Sequence, residues 1–203
     1  MATEQPIENP QPEAQLQEDQ PRAHSVFHLK KEKPVRKPRP VVYQIYLCCR
    51  CADENSKNGK IGGAWAADIF RPPQDTTSQH KRGSYSLSAV EEADDHIQIG
   101  LAALREIFKW ITADVEESAW SYISVSIMCS DIFIVNLLQE WLPAWHKQEY
   151  KISKTAEHLR PNVEILREIG NITSRIKLSA SWNVDTAKEM IAVRNNVNKL
   201  LNE

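Results

Sequence analysis

Three β-patterned runs in a row precede the first segment of helical spacing, and that order limits the folds open to this 203-residue chain more than any other feature. Residues 41–51 alternate and are rich in Val, Tyr and Ile, which predicts a strand. A polar turn over 53–60 contains Asn58-Gly59 and leads into residues 61–70, opened by Gly62-Gly63, so the first two strands form a hairpin. Residues 71–81 read as loop and 83–88 as a third strand. Residues 91–111 then place Ile97, Leu101, Leu104, Ile107, Phe108 and Ile111 at helical intervals. A β-branched strand over 121–129 follows, then a helix over 131–145 with Ile134, Leu137, Leu138 and Trp141 on one stripe, and a helix begun by Pro161. A strand over 175–182 and an amphipathic helix over 186–201 complete the pattern. The fold class is therefore α/β, a mixed five-stranded sheet flanked by helices in the order βββαβα(α)βα.

The first 40 residues share none of this periodicity. They hold seven of the 11 prolines and no glycine. Residues 1–20 carry five acidic groups and no basic one, whereas residues 21–40 carry seven basic groups against Glu32 alone. So few apolar side chains do not offset the entropy of ordering, so residues 1–40 are expected to be a disordered, charge-split, proline-rich arm and 41–203 the folded domain. The basic stretch over 30–40 fits a nuclear-import signal, a phosphate-gripping arm or a solubilising linker. The folded part is different, with 18 basic and 21 acidic groups, although duplex binding ordinarily wants a basic face. No apolar run approaches the roughly 18 residues of a membrane span, and the N-terminus lacks the basic and apolar regions of a secretory signal. Four cysteines, Cys48, Cys49, Cys51 and Cys129, are too few and too clustered for a disulfide framework. A reducing compartment, cytoplasmic or nuclear, and no membrane partner are the resulting expectations.

Several short segments carry a more specific signal when taken in order. They are Tyr43-Gln44-Ile45-Tyr46, Gly62-Gly63-Ala64-Trp65, Leu101-Ala102-Ala103-Leu104 and Ile127-Met128-Cys129-Ser130. Trp141 and Trp145 follow, with Lys147, Tyr150 and Lys151 behind them, then Asn162-Val163-Glu164-Ile165-Leu166 and Ile176-Lys177-Leu178. In this order and at this spacing they resemble type 1 ribonuclease H across nearly all of residues 42–200. The resemblance implies a fold that occurs in retroelement-related and pararetroviral polyproteins and in stand-alone relatives, whose active members cleave the RNA of an RNA–DNA hybrid with two Mg²⁺ ions clamped by four carboxylates.

The departures from that family bear on function. At the carboxylate positions stand Cys48, His96, Cys129 and, near the last, Met190. Mg²⁺ is a hard ion that takes oxygen ligands, so thiols and a thioether do not replace carboxylates. Ser181-Trp182-Asn183-Val184 stands where the family has a glycine-histidine loop. The expectation is a catalytically degenerate domain with no cofactor. Asp53, Glu54, Asp94, Asp95 and Asp131 are the neighbouring acids on which a rearranged metal site would draw, and Asp185 or Glu189 lies near the last position. Asp131 better suits the plainer role of an acid at a helix start. The resemblance also implies that Cys48, His96 and Cys129 converge. Zinc binding by these three, a redox-sensitive Cys48–Cys129 pair and inert packing are all open. Cys49 and Cys51 share a strand face that excludes Cys48.

By the same resemblance, Trp145, Lys147, Tyr150, Lys151 and Lys154 form the handle that grips the DNA strand. Interleaved aromatic and basic groups suit phosphate contact and stacking. Against this, Glu140, Glu149 and Glu157 dilute the charge, Trp141 lies on an apolar stripe, and Pro143 is expected to kink its helix. Acidic clusters at 116–117 and 91–95 would repel a phosphate backbone, and the second also suits a helix N-terminus. Three functions compete. One is non-catalytic binding of RNA or RNA–DNA hybrid, another is a scaffold whose degenerate groove or N-terminal arm meets a protein partner, and the third is a nuclease with rearranged metal ligands.

Overall fold

A computed structural model of the chain describes residues 40–55, 61–71, 83–93, 96–153, 158–183 and 187–202, with only the backbone described at 53–55 and 61. All of the expected arm except Pro40 lies outside the described residues, as do the Asn58-Gly59 turn, Asp94, Asp95, Lys154 and Asp185. The strands are β1 (Val41–Asn55), β2 (Ile61–Arg71), β3 (Gly83–Ala93), β4 (Ile123–Cys129) and β5 (Lys177–Trp182). They form one mixed sheet in the order β3-β2-β1-β4-β5. β1 and β2 pair antiparallel, as do β2 and β3, while β4 runs parallel to β1 and β5 parallel to β4. The helices are α1 (His96–Asp114), α2 (Ile132–Asn136), α3 (Leu142–Lys147), α4 (Val163–Thr173) and α5 (Lys188–Asn202). Among the described residues no helix is long and apolar enough to cross a membrane.

Strand alternation divides the interior in two. Tyr43, Ile45 and Leu47 of β1 enter the main core with Leu104, Ile107 and Phe108 of α1, all fully buried. Tyr46 and Cys48 point to the other face, where Ala64 and Ala66 of β2 join them under Met190, Val193 and Val197 of α5. Those three positions, spaced by three and four residues, form the single apolar stripe of α5. Gly63 lets the hairpin pass under the start of α1. A Cβ there would stand 2.8 Å from the Arg50 carbonyl oxygen and run into the Ile99 side chain. At the far end of α1, Asp114 accepts hydrogen bonds of 2.5 Å from both Tyr43 Oη and Arg71, tying α1 to the first hairpin.

Several elements differ from the sequence expectation, three of them near the candidate site or the handle. β3 continues to Ala93 because β2 offers partners that far, pairing Gly63 with Glu91 and Gly62 with Glu92. Glu91 and Glu92 are therefore strand residues and not part of a helix start. Ser121 and Tyr122 close a 3-10 turn over Glu117–Tyr122, so β4 begins two residues late. The helix expected over 131–145 is broken into α2, a π-helical turn over Leu137–Trp141, and α3. Pro143 has no N–H to give to the Gln139 carbonyl four residues back, and the wider turn just before it absorbs the mismatch. Gln139 is held meanwhile by its side-chain amide, which donates to the Ala180 carbonyl of β5.

Candidate functional site

The positions that the resemblance matches to carboxylates lie at the middle of β1 (Cys48), the end of β4 (Cys129), the first residue of α1 (His96) and the first turn of α5 (Met190). Leu47 of β1 is the register partner of Cys129 on β4, so Cys48 is offset from Cys129 by one residue. An offset of one reverses the face. Cys129 is 0% exposed in the main core, whereas Cys48, 1% exposed, sits on the α5 side against Met190. His96 opens α1 as an exposed residue, its ring 6.4 Å from the Phe133 ring. The expected convergence of Cys48, His96 and Cys129 is thus corrected: of the four positions, only Cys48 and Met190 meet in one cluster. The Cys48–Cys129 pair is corrected likewise, because the two side chains leave the sheet in opposite directions. Among the described residues, no three His, Cys, Asp or Glu side chains gather as a metal-ligand set.

The thiols that share the Cys129 face are Cys51 and, two residues past Leu47, Cys49. Burial pushes Cys49 well up, and Cys129 beside it pushes in the same direction. Cys129 itself is pushed up to about 12, chiefly by burial, with the backbone N–H of Asp131 opposing. That N–H lies 3.4 Å from Cys129 Sγ, and the Asp131 carboxylate accepts from Phe133 N at 2.8 Å, capping α2. Two buried neutral thiols on opposite faces, a buried thioether and an exposed imidazole do not fit a pair of Mg²⁺ ions.

These thiols carry a pH dependence. A folded pKa above the unfolded value of 9.0 means that the contribution of Cys129 to stability is complete below pH 9 and is lost as pH rises from 9 toward 12. Urea unfolding between pH 8 and 10.5 is expected to show stability falling by up to about 1.4 kcal/mol per pH unit from this group. Tyr43, raised by burial and by the Asp114 bond, adds to the fall above pH 10. Cys129→Ala flattens the profile if Cys129 is a source. An equally steep profile in that variant would remove Cys129 from the account.

The aromatic and basic handle is assembled by the turn after α3. Trp145 and Trp141 stack with ring centres 6.0 Å apart and planes 20° from parallel. The Arg160 guanidinium lies 4.2 Å over the Trp145 ring. Trp145 therefore acts as the bed for Arg160 and is itself half-buried against the core. Lys147 is exposed, and Lys151 forms an exposed pair of 3.3 Å with Glu149, a pairing too solvated to immobilise it. Tyr150 corrects the sequence reading. It is 3% exposed, its Oη meets His146 Nδ1 at 3.0 Å, and a Cβ at Gly170 of α4 would run into that oxygen. Such a side chain offers no face to a ligand. It anchors the turn, whose Glu149 and Tyr150 take φ of 55° and 62° without a glycine. Arg160 N donates to Tyr150 O at 3.0 Å, which places Arg160 over Trp145.

Sequence reasoning passed over a polar group on the α5 side of the sheet. Arg50, two residues past Cys48 on β1, donates from Nη1 to Asn198 Oδ1 of α5 at 2.5 Å. Arg194 stands one helical turn before Asn198 and Asn202 one turn after. That four-residue spacing on the last amphipathic helix was the available signal.

No protein-family model and no curated protein sequence matches the chain. Solved structures do match its backbone. LC9-RNase H1, described as a type 1 RNase H with the type 2 active-site motif, aligns over 82% of this chain and 74% of its own, at 14% identity and a TM-score of 0.62. The RNase H domain of PFV aligns over 79% of this chain and 92% of its own, at 10% identity and a TM-score of 0.54. A foamy viral protease-reverse transcriptase solved with an RNA/DNA hybrid aligns over 85% of this chain at 10% identity and a TM-score of 0.56. The match covers 22% of that longer polypeptide. Identities this low speak of the backbone and leave the chemistry to each chain's own residues. With the strand order β3-β2-β1-β4-β5 and the helices placed as described, the chain contains a domain of the ribonuclease H-like fold.

Proposed function

We propose that this domain holds RNA–DNA hybrid, or RNA, without cleaving it. The carrying observation is the handle: Arg160 displayed on Trp145, with Lys147 and Lys151 at the surface of the same turn region. Cationic groups around an aromatic bed suit a phosphate backbone. The protease-reverse transcriptase that shares the backbone was solved with an RNA/DNA hybrid, which supports the same class of ligand here. Binding without cleavage is supported by the chemistry at Cys48, His96, Cys129 and Met190, which do not fit paired Mg²⁺ ions.

Titration of labelled RNA–DNA hybrid with Mg²⁺ present, at two salt concentrations and followed by a denaturing gel, tests both halves. The expected result is retarded hybrid of unchanged length. Lys147→Glu with Lys151→Glu is expected to weaken binding about tenfold or more and to lower the salt slope by about 2. Shortened RNA would overturn the non-catalytic reading and direct attention to Asp94, Asp95 and Asp131. Unchanged binding in the double variant would overturn the handle. The absence of any binding would favour a protein-interaction scaffold, a role suited by the acidic balance of residues 41–203 and by Trp182, 56% exposed at the end of β5.

A further inference from the structure

The Arg50 group lies on the sheet face that α5 covers, away from the face that α1 packs on, and the handle does not include it. Arg50 is exposed, and its hydrogen bond to Asn198 fixes its guanidinium alongside α5. Arg194, Asn198 and Asn202 occupy successive turns of α5 and so share one edge of that helix. A half-open polar cavity of about 390 Å³ opens there, lined by Arg50, Cys51, Ala52, Asn198, Leu201 and Asn202. Arg194 stands one helical turn before Asn198, the residue that holds Arg50, and so lies along the same edge of α5. From Met190 to Asn202, α5 holds no acidic residue, and Glu189 precedes that stretch. Asp53 and Glu54 follow on β1, with side chains outside the described residues.

Two guanidinium forks and neutral amide donors form a set that suits phosphate oxygens. The stripe from Arg194 to Asn202 is about 12 Å long, room for more than one phosphate on a strand whose charges recur every ~3.4 Å of axis. We propose that Arg50 and Arg194, with Asn198 and Asn202, bind backbone phosphates of a nucleic acid, as a second contact independent of the Trp145–Lys151 handle. This inference rests on the nucleic-acid-binding reading for its ligand. Asn198 also orients Arg50, whose Nη1 donates to its Oδ1.

The test measures fluorescence anisotropy of labelled RNA–DNA hybrid with the full chain, in chelator and at two salt concentrations, for the wild type, Arg50→Gln with Arg194→Gln, and Asn198→Asp. Inorganic pyrophosphate is titrated in parallel, with the arginine Nε–Hε resonances as readout. The double variant is expected to bind hybrid about tenfold more weakly with a salt slope lower by about 2, at an unchanged unfolding midpoint. Asn198→Asp, which places a carboxylate against Arg50 without altering the arginines, is expected to weaken binding in the same direction. If wild type and both variants bind hybrid equally, the inference is overturned while the handle stands. If hybrid fails to bind and pyrophosphate shifts the Arg50 and Arg194 resonances, the nucleic-acid source is overturned together with the functional reading, and the ligand is a free phosphate. If neither ligand binds, no anion site exists there.

Discussion

Tyr150→Ala is expected to lower the unfolding free energy by about 3–4 kcal/mol and to weaken hybrid binding about tenfold, whereas Tyr150→Phe costs about 1 kcal/mol and leaves binding unchanged. The ring is 3% exposed and fills the space left by Gly170, which has no Cβ to oppose it. Its removal opens a cavity between the turn and α4. The same ring holds two consecutive residues at positive φ, a conformation that costs energy and persists only while packing enforces it. Without the ring the turn relaxes, Arg160 loses its bond to the Tyr150 carbonyl, and Arg160 leaves Trp145. The phenylalanine variant keeps the ring and loses only the contact with His146 Nδ1. Urea unfolding and hybrid titration of the two variants check this. Strong loss of binding in Tyr150→Phe at near-native stability would show that the hydroxyl touches the ligand, against the burial argument.

Cys129→Asp is expected to destabilise the fold by about 3–5 kcal/mol at neutral pH and to leave the domain without cleavage activity. The position is 0% exposed in the main core, and among the described residues no cation acts on its thiol. Asp131 is beside it, so a second carboxylate meets both desolvation and like charge. Both effects raise the introduced carboxyl above its unfolded value near 4. The variant is therefore closest to wild type at low pH and loses stability as pH rises past about 4. Unfolding at pH 5 and pH 8 reads this directly. A variant within about 1 kcal/mol of wild type at pH 8 would mean that the site accepts a charge, and would reopen metal binding at the end of β4.

The strands illustrate how far local pattern reaches. The alternation over 41–51 and the apolar run after Gly62-Gly63 appear in the structure as β1 and β2, because each strand declares a buried side through neighbours two residues apart. The extension of β3 to Ala93 was not visible in this way. Glu91 and Glu92 suit a helix start by composition, and only the unfilled edge of β2 recruits them into a ladder. The handle shows a similar division. Lys147 and Lys151 lie at the surface as the interleaved pattern suggests, but Tyr150 turns inward because Gly170, twenty residues away in sequence, leaves room for it.

By itself the sequence determined the order of strands and helices, the division of charge between the first 40 residues and the rest, and the lack of carboxylates at Cys48, His96, Cys129 and Met190. These are properties of composition and short-range periodicity, carried by residues within a few positions of one another. The tertiary structure alone decided that Cys48 and Cys129 face opposite sides of the sheet, that Cys48 joins Met190, and that Arg50 meets Asn198 across 148 positions. Each of these depends on pairing between distant segments. The parallel register of Leu47 with Cys129 is set by how two strands some 80 residues apart share one core, and a shift of one residue would reverse every face.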